Sequence, residues 1–563
     1  MRYIKEVLKK EKGWVGAYLA IGIGAAFLAN YKAACFQGII DGLTNRTLAL
    51  SGILFYGAVL CLLYGINYLD NYPSAKLENR LYLDFKLLAL QKIGKIDYAE
   101  YQKLGTGKLI QRIENGAEAG KQVLYDFWFC IIRELLPTIA FSLYFIARID
   151  GKVTCVLAAG YVVVFVITNL LLKGLYQIKE KILTSEEELN HFLVRGFMEM
   201  PVFRMKRQFP RELKKAEETQ RVIVSSKVKM TMIHEAFFTA FALMVACLNV
   251  GILIYAWKSG GLSVGSVVAL LTLIDNAYTP IAIFNVLYVQ YKLNKTAWRR
   301  FTDLLNLKED MQLYQGAVFG TLSGGICIDN LSFAYENKKI LDRVSLTIKK
   351  GEKVAFVGES GCGKSTLIKL LLGLLKYEDG EILFDNIPLK SISLESLYEK
   401  TGYISQDTPV FDGTVRENLV FDREVPEAEM LACLESAQLL PLVMGMDQGV
   451  ETRIGEKGAC LSGGEKQRLA LARLWFGDPE LIVLDEATSA LDNVTEHLVM
   501  QNVLERAAHA TVIAVAHRLA SIRGFDRVVV FRNGRIIGSG TFEELLVGNS
   551  YFGALYEKEK ESA

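Results

Sequence analysis

The stretch Lys353-Val-Ala-Phe-Val357-Gly358-Glu-Ser-Gly-Cys-Gly363-Lys364-Ser365-Thr366-Leu367 decides how the chain is read. An apolar strand, Val354 to Val357, meets a Gly-x-x-x-x-Gly-Lys-Ser loop, and a helical pattern follows from Leu367 to Leu375. Glycines let the backbone turn so that consecutive N–H groups point inward, a cradle for phosphate. Lys364 is placed to reach the outer phosphates and Ser365 to offer a hydroxyl to Mg²⁺, while the helix start adds the positive end of its dipole. Ser360, Gly361, Cys362 and Thr366 complete the loop, and its thiol is expected to be a target for alkylation that nucleotide protects.

Around this loop the composition divides the chain. At 563 residues more than one core is expected, and 51% hydrophobic residues is high for a soluble protein. The net charge of +2 gives no reason to expect a nucleic acid partner. The nine cysteines show no paired or metal-ligand spacing, and they read as free thiols in a reducing compartment or a bilayer.

Toward the N-terminus lie long apolar segments: roughly 14–38, 48–72, 123–146, 153–172, 236–257 and 262–289. Each is long enough to cross a ~30 Å hydrocarbon layer as a helix. The connectors after the first, third and fifth are short. Those after the second and fourth are long, helical in pattern and rich in Lys and Arg, which places them and both termini in the cytoplasm. Reversals are expected near 96–106, where Gly105 and Gly107 break the helix, and near 195–206, at Pro201. Pro137 and Pro280 are expected to kink the third and sixth spans. Residues 2–12 form a short basic helix with one apolar stripe, suited either to the membrane interface or to solvent.

The expected organisation is a six-helix transmembrane domain over 1–313, a glycine-bearing linker over 314–325 and an α/β domain over 326–563. In that second half, Leu481-Ile-Val-Leu-Asp485-Glu486 is an apolar strand ending in two carboxylates, the Walker B arrangement. Asp485 is placed to hold Mg²⁺ and Glu486 to orient or deprotonate water. Leu461-Ser462-Gly463-Gly464-Glu465 precedes it. Asp492 and His517 follow, and Gln406 lies upstream.

With these residues in this order, the second half resembles the nucleotide-binding domain of the ATP-binding cassette (ABC) family, and the Leu-Ser-Gly-Gly signature is specific to it. The first half resembles the family's exporter-type membrane domain. The resemblance implies a polytopic α-helical membrane domain fused to an α/β P-loop ATPase. It implies ATP and Mg²⁺ as cofactors, with Ser365, Gln406 and Asp485 on the metal. Tyr335 would stack on adenine, Gln406 would sense the metal at the membrane-domain side, and His517 would contact the γ-phosphate. Leu461 to Glu465 would face ATP bound by a second copy, and Asp492 would touch that copy. The run Thr452 to Gly458 resembles an exporter-specific loop, with Glu456 as a transmission residue. The fifth signature residue is usually glutamine and here is Glu465, a carboxylate that a triphosphate repels unless it is offset or turned away.

The function expected is ATP-driven export or flipping of an amphipathic small molecule, peptide or lipid, by a dimer in a bacterial cytoplasmic membrane. Homodimer and heterodimer are both open. An importer built on the same fold and a nucleotide-gated regulator are the alternatives. No protease domain precedes the first span, so cleavage of a leader peptide is not expected. For the cargo, Lys32, Arg133, Glu134 and Asp275 are the ionisable residues read inside the spans. They could line a polar cavity, or Arg133 could pair with Asp275. Tyr64 and Tyr68 are read as cavity aromatics and Tyr72 as an interfacial anchor.

Overall fold

The computed structural model describes residues 2–562 apart from 105, 199, 337, 407, 422, 456, 457, 459 and 517. Chain contacts divide it into two compact units: Met1–Gly94 with Leu104–Leu307, and Lys95–Lys103 with Lys308–Ala563.

The first unit is helical. α1 (Arg2–Lys10), α2 (Lys12–Thr44) and α3 (Leu50–Ile93) lead to the short α4 (Tyr98–Leu104), which belongs to the second unit. α5 (Thr106–Lys121) runs through a π-helical stretch, Gln122–Phe129 and Ile131–Leu135, into α6 (Leu136–Ile149). α7 (Gly151–Met198), α8 (Met200–Met205), α9 (Phe209–Ser259) and α10 (Val264–Leu305) follow. Among the described residues four stretches are long and apolar enough to cross a membrane: Lys12–Thr44, Leu50–Ile93, Leu109–Ile149 and Phe209–Ser259. The two other expected spans fall in α7 and α10. At 44 and 51 residues, α3 and α9 are about 65 and 75 Å long. They therefore extend well beyond the apolar layer, as their charged outer halves require.

Two details of this unit depart from the sequence reading. The apolar stripe of α1 is covered by protein: Val7 is buried with Leu77, Leu81 and Phe85 of α3, and the Tyr3 hydroxyl donates to Leu305 O at 2.9 Å. At Pro137 the expected break takes the form of the preceding π-helical stretch. Proline has no N–H to donate and its ring crowds the carbonyl four residues back, and a widened turn accommodates both. α10 carries Pro280 within its length, the position expected to kink it. Of the two reversals, one is α4; the other is α8, with Pro201 in its first turn, where a missing N–H goes unfelt.

The second unit is α/β. β1 (Gly325–Tyr335), β2 (Lys338–Lys349), β4 (Asp379–Phe384) and β5 (Ile387–Pro388) make an antiparallel sheet in the order β2-β1-β4-β5. The main sheet is ordered β10-β9-β3-β8-β7-β6, from β3 (Lys353–Val357), β6 (Thr401–Ile404), β7 (Leu481–Asp485), β8 (Thr511–Val515), β9 (Arg527–Arg532) and β10 (Arg535–Gly540). β6, β7, β8, β3 and β9 are parallel. Every residue of β7 and β8 is buried, as expected of central parallel strands covered on both faces. The C-terminal ends of β3, β7 and β6 thus release Gly358, Glu486 and Gln406 along one edge of the sheet, where ligands of open α/β sheets bind.

Candidate functional site

β3 ends at Val357 and α11 (Lys364–Leu371) begins seven residues later. Two glycines show why the loop between them tolerates little else. Gly358 has φ of 145°, and a Cβ there would lie 2.2 Å from Phe531 O. Gly363 caps α11 at φ of 109°, with Leu341 Cδ2 2.6 Å from where a Cβ would be. The Lys364 ammonium is folded over the loop, its Nζ donating to Gly358 O at 2.7 Å and Glu359 O at 3.1 Å. These carbonyls hold a buried charge in place. Cys362 is only 7% exposed, with Sγ 3.7 Å from Lys364 Nζ, so the thiol expected to be open to alkylation is sheltered.

At the start of α11 the Ser365 hydroxyl donates to Asp485 Oδ1 at 2.7 Å. Asp485 is the buried last residue of β7. Burial holds its carboxyl above the ordinary value and the Ser365 hydrogen bond pulls it down, while the charge of Glu486 pushes up again. A buried carboxylate against one hydroxyl is a hard, oxygen-only corner that suits a small divalent cation completing its shell with water and phosphate. Glu486 follows in the left-handed region, φ of 56°, which a residue with a Cβ adopts at a cost of about 1 kcal/mol or more. The turn aims its carboxylate at Gln406, whose Nε2 donates to Glu486 Oε2 at 2.7 Å. Gln406 is thus brought to Glu486, and its amide bond is made there rather than to the Ser365–Asp485 corner.

Tyr335, at the end of β1, is 40% exposed with its ring edge-on to Phe333, an available aromatic face. Ser462 caps the helix Gly463–Arg473 in a capping box: Ser462 N–H donates to Glu465 Oε2 at 2.7 Å and Glu465 N–H to Ser462 Oγ at 3.3 Å. The departing residue of the signature is therefore turned onto its own backbone. Asp492 caps the helix Asn493–Arg506, accepting from Val494 and Thr495 N–H groups, which hold its carboxyl below the ordinary range. Glu456 and His517 lie outside the described residues.

Two residues without a motif tie these parts together. Gln467 is buried; its Nε2 donates to Ser489 Oγ at 3.0 Å and its Oε1 accepts from Ala490 N–H at 2.8 Å, fastening the signature helix to the loop after β7. Arg473, at the other end of that helix, donates to Asn418 O at 2.6 Å and Pro409 O at 2.8 Å, just beyond Gln406. Desolvation lowers its guanidinium to about 10. Their chemistry is helix-to-loop fastening, and only the spacing from Glu465 could have pointed to Gln467.

In the helical unit, a cavity of about 450 Å³ is lined by Tyr18, Gln122, Asp126, Arg133, Glu134 and Gln290, among others. Arg133 pairs with Asp70 of α3 and not with Asp275, which is exposed. Asp70 lies inside the second apolar run and is a partner that the sequence reading did not name. Tyr64 and Tyr68 are 65% and 77% exposed and do not line this cavity. Tyr72 packs its ring 5.3 Å from that of Trp14. All nine cysteines are free thiols.

Residues 341–489 match the ABC transporter family. The ABC transporter ATP-binding protein YwjA of Bacillus subtilis is 36% identical over 302 residues, 53% of this chain and 52% of that protein. The putative multidrug export ATP-binding/permease protein YgaD of the same organism is 29% identical over 538 residues, 92% of this chain and 90% of that one. The structure of a bacterial Atm1-family ABC exporter with ATP bound superposes with a TM-score of 0.81 at 22% identity, covering 98% of this chain and 99% of that one. That likeness extends through both units and gives the chain the exporter fold. A helical domain with membrane-length apolar helices and an ATP-binding domain that matches the ABC transporter family occupy a single polypeptide here, the arrangement of a fused ABC half-transporter whose ATPase is coupled to transport.

Proposed function

We propose that the chain exports or flips an amphipathic small molecule, peptide or lipid out of the cytoplasm, as a dimer alternating between inward- and outward-facing forms. The observation that carries this reading is the pairing of Gln406 with Glu486 beside the Ser365–Asp485 corner, a hydrolytic carboxylate held from the loop that follows β6.

In this reading Lys364 leaves the loop carbonyls for the outer phosphates, and the Gly358–Gly363 N–H groups take the rest. Ser365 and Asp485 hold Mg²⁺, which when bound offsets the phosphate charge. Glu486 orients the attacking water, and His517 keeps the γ-phosphate contact that its sequence position implies. Tyr335 offers its ring to adenine. Each ATP is closed over by Ser462 to Gly464 of a second copy, a homodimer being favoured because one chain carries the whole set. Glu456 relays closure to the membrane domain, and Asp492 steadies the signature's neighbouring loop at the dimer contact. The bias of Lys and Arg puts both termini on the cytoplasmic side of a bacterial cytoplasmic membrane.

The test is Glu486→Gln in lipid nanodiscs. Hydrolysis is expected to fall at least ~100-fold while ATP remains bound. Hydrolysis that persists would remove Glu486 from its role. Direction is read by loading inside-out vesicles: ATP-dependent accumulation in the lumen supports export, and depletion overturns it.

A further inference from the structure

The cavity in the helical unit has a charge balance that names a class of cargo; the argument rests on the transport reading above. Arg133 is a cavity residue whose charge is already satisfied: its guanidinium pairs with Asp70 and lies 3.9 Å over the face of Tyr18. It reaches there through a slot left by Gly22, where a Cβ would overlap Arg133 Cγ at 2.0 Å. Lys121, one residue before the π-helical stretch, is held by Glu118 at 3.0 Å and Glu78 at 3.5 Å. Asp126 and Glu134 remain. Among the described residues neither has an ion-pair partner, and Glu134 receives only the Cys130 thiol at 3.9 Å.

Asp126 is half-buried and feels Lys121 only beyond ion-pair distance, Glu134 is exposed, and two carboxylates without an ion-pair partner among membrane-spanning helices are expensive unless something neutralises them. The π-helical stretch brings Asp126, Cys130 and Glu134 onto the same wall, and such stretches mark functional sites in helices. Aromatic faces border them: Tyr18 and Tyr125 stack at 5.4 Å. The wall already seats one planar cation on such a face, the Arg133 guanidinium over Tyr18. A volume of about 450 Å³ is that of a drug-sized molecule.

We propose that this cavity binds an amphipathic organic cation, its charge between Asp126 and Glu134 and its apolar body against Tyr125, Val286 and Leu287.

Tetraphenylphosphonium and tetraphenylborate test this, because they share size and shape and differ in sign. Binding is measured to the full chain in nucleotide-free nanodiscs, with empty nanodiscs subtracted, so the result does not depend on turnover. The phosphonium is expected to bind and the borate not. Asp126→Asn and Glu134→Gln should each weaken the phosphonium about tenfold. A gain of function guards against misfolding: Asp70→Asn frees Arg133, and should weaken the phosphonium while admitting the borate. Borate binding as tight as phosphonium in the native chain, or phosphonium binding unchanged in both carboxylate variants, overturns the proposal. Loss of the cation preference with Glu486-dependent hydrolysis intact would sink this inference alone. Cation binding without ATP-driven movement would instead sink the export reading.

Discussion

Glu465 carries the largest chemical departure in the signature, and its surroundings define its effect. The carboxylate accepts from Ser462 N–H at the start of a helix, where negative charge is favourable. Glutamine can accept the same bond, so Glu465→Gln should change steady-state ATPase less than about threefold, whereas Glu465→Ala should leave the Ser462 N–H without its acceptor, at about 1 kcal/mol, and raise the KM for ATP. A large gain in activity for the glutamine variant would show that the charge reaches the nucleotide after all. Gly358 is stricter. Its φ of 145° and the Phe531 carbonyl leave no room for a methyl, and Gly358→Ala should abolish ATP binding, measured with a fluorescent nucleotide. Both residues were legible in the sequence because their demands are local: a tight turn, a helix start.

Elements fastened by side chains to distant backbone were not legible in this way. Arg473 and Gln467 bond mostly to carbonyls and N–H groups of loops 22 to 64 residues away, and no residue type at those partners announces them. Arg473→Ala should therefore cost about 2 kcal/mol and lower the melting temperature of the ATPase domain, because Pro409 O and Asn418 O lose their donor. Arg473→Lys should recover only part, since an ammonium cannot fork between them. The third span gives the other case. Arg133 pairs with a residue 63 positions earlier, and the π-helical register shifts which side chains share a face, so a reading at 3.6 residues per turn could not assign its partner. Gly22→Leu should expel Arg133 from its slot and destabilise the membrane domain in detergent by about 2 kcal/mol; an unchanged melting curve would mean that the slot is not filled in the membrane.

For the whole molecule the decisive proposal is that each ATP is shared between two copies. Co-expressing one chain bearing Glu486→Gln with another bearing Ser462→Arg tests it without a structure. Either variant alone should be inactive. In a mixed dimer one site collects both lesions and the other none, so about a quarter of native hydrolysis should return if copies pair at random. No recovery would mean that each chain completes its own site. Division of labour at this scale, apolar helices first and P-loop domain second, was visible in the run of long apolar segments and in the Gly358–Ser365 loop. The assignment of Lys95–Lys103 was not, because it depends on a chain segment leaving its neighbours in sequence.

That nine-residue segment has a practical bearing. Tyr98 and Ala99 pack onto the apolar core beside β1 and β4, Asp97 N–H donates to Lys308 O at 3.0 Å, and Asp310 N–H donates to Lys95 O at 2.8 Å. An ATPase fragment begun at Lys308 would be born missing a stitch, with bare apolar seats where two side chains belong. Supplying 95–103 as a free peptide should solubilise and stiffen such a fragment, and a Tyr98→Ala peptide should rescue it poorly.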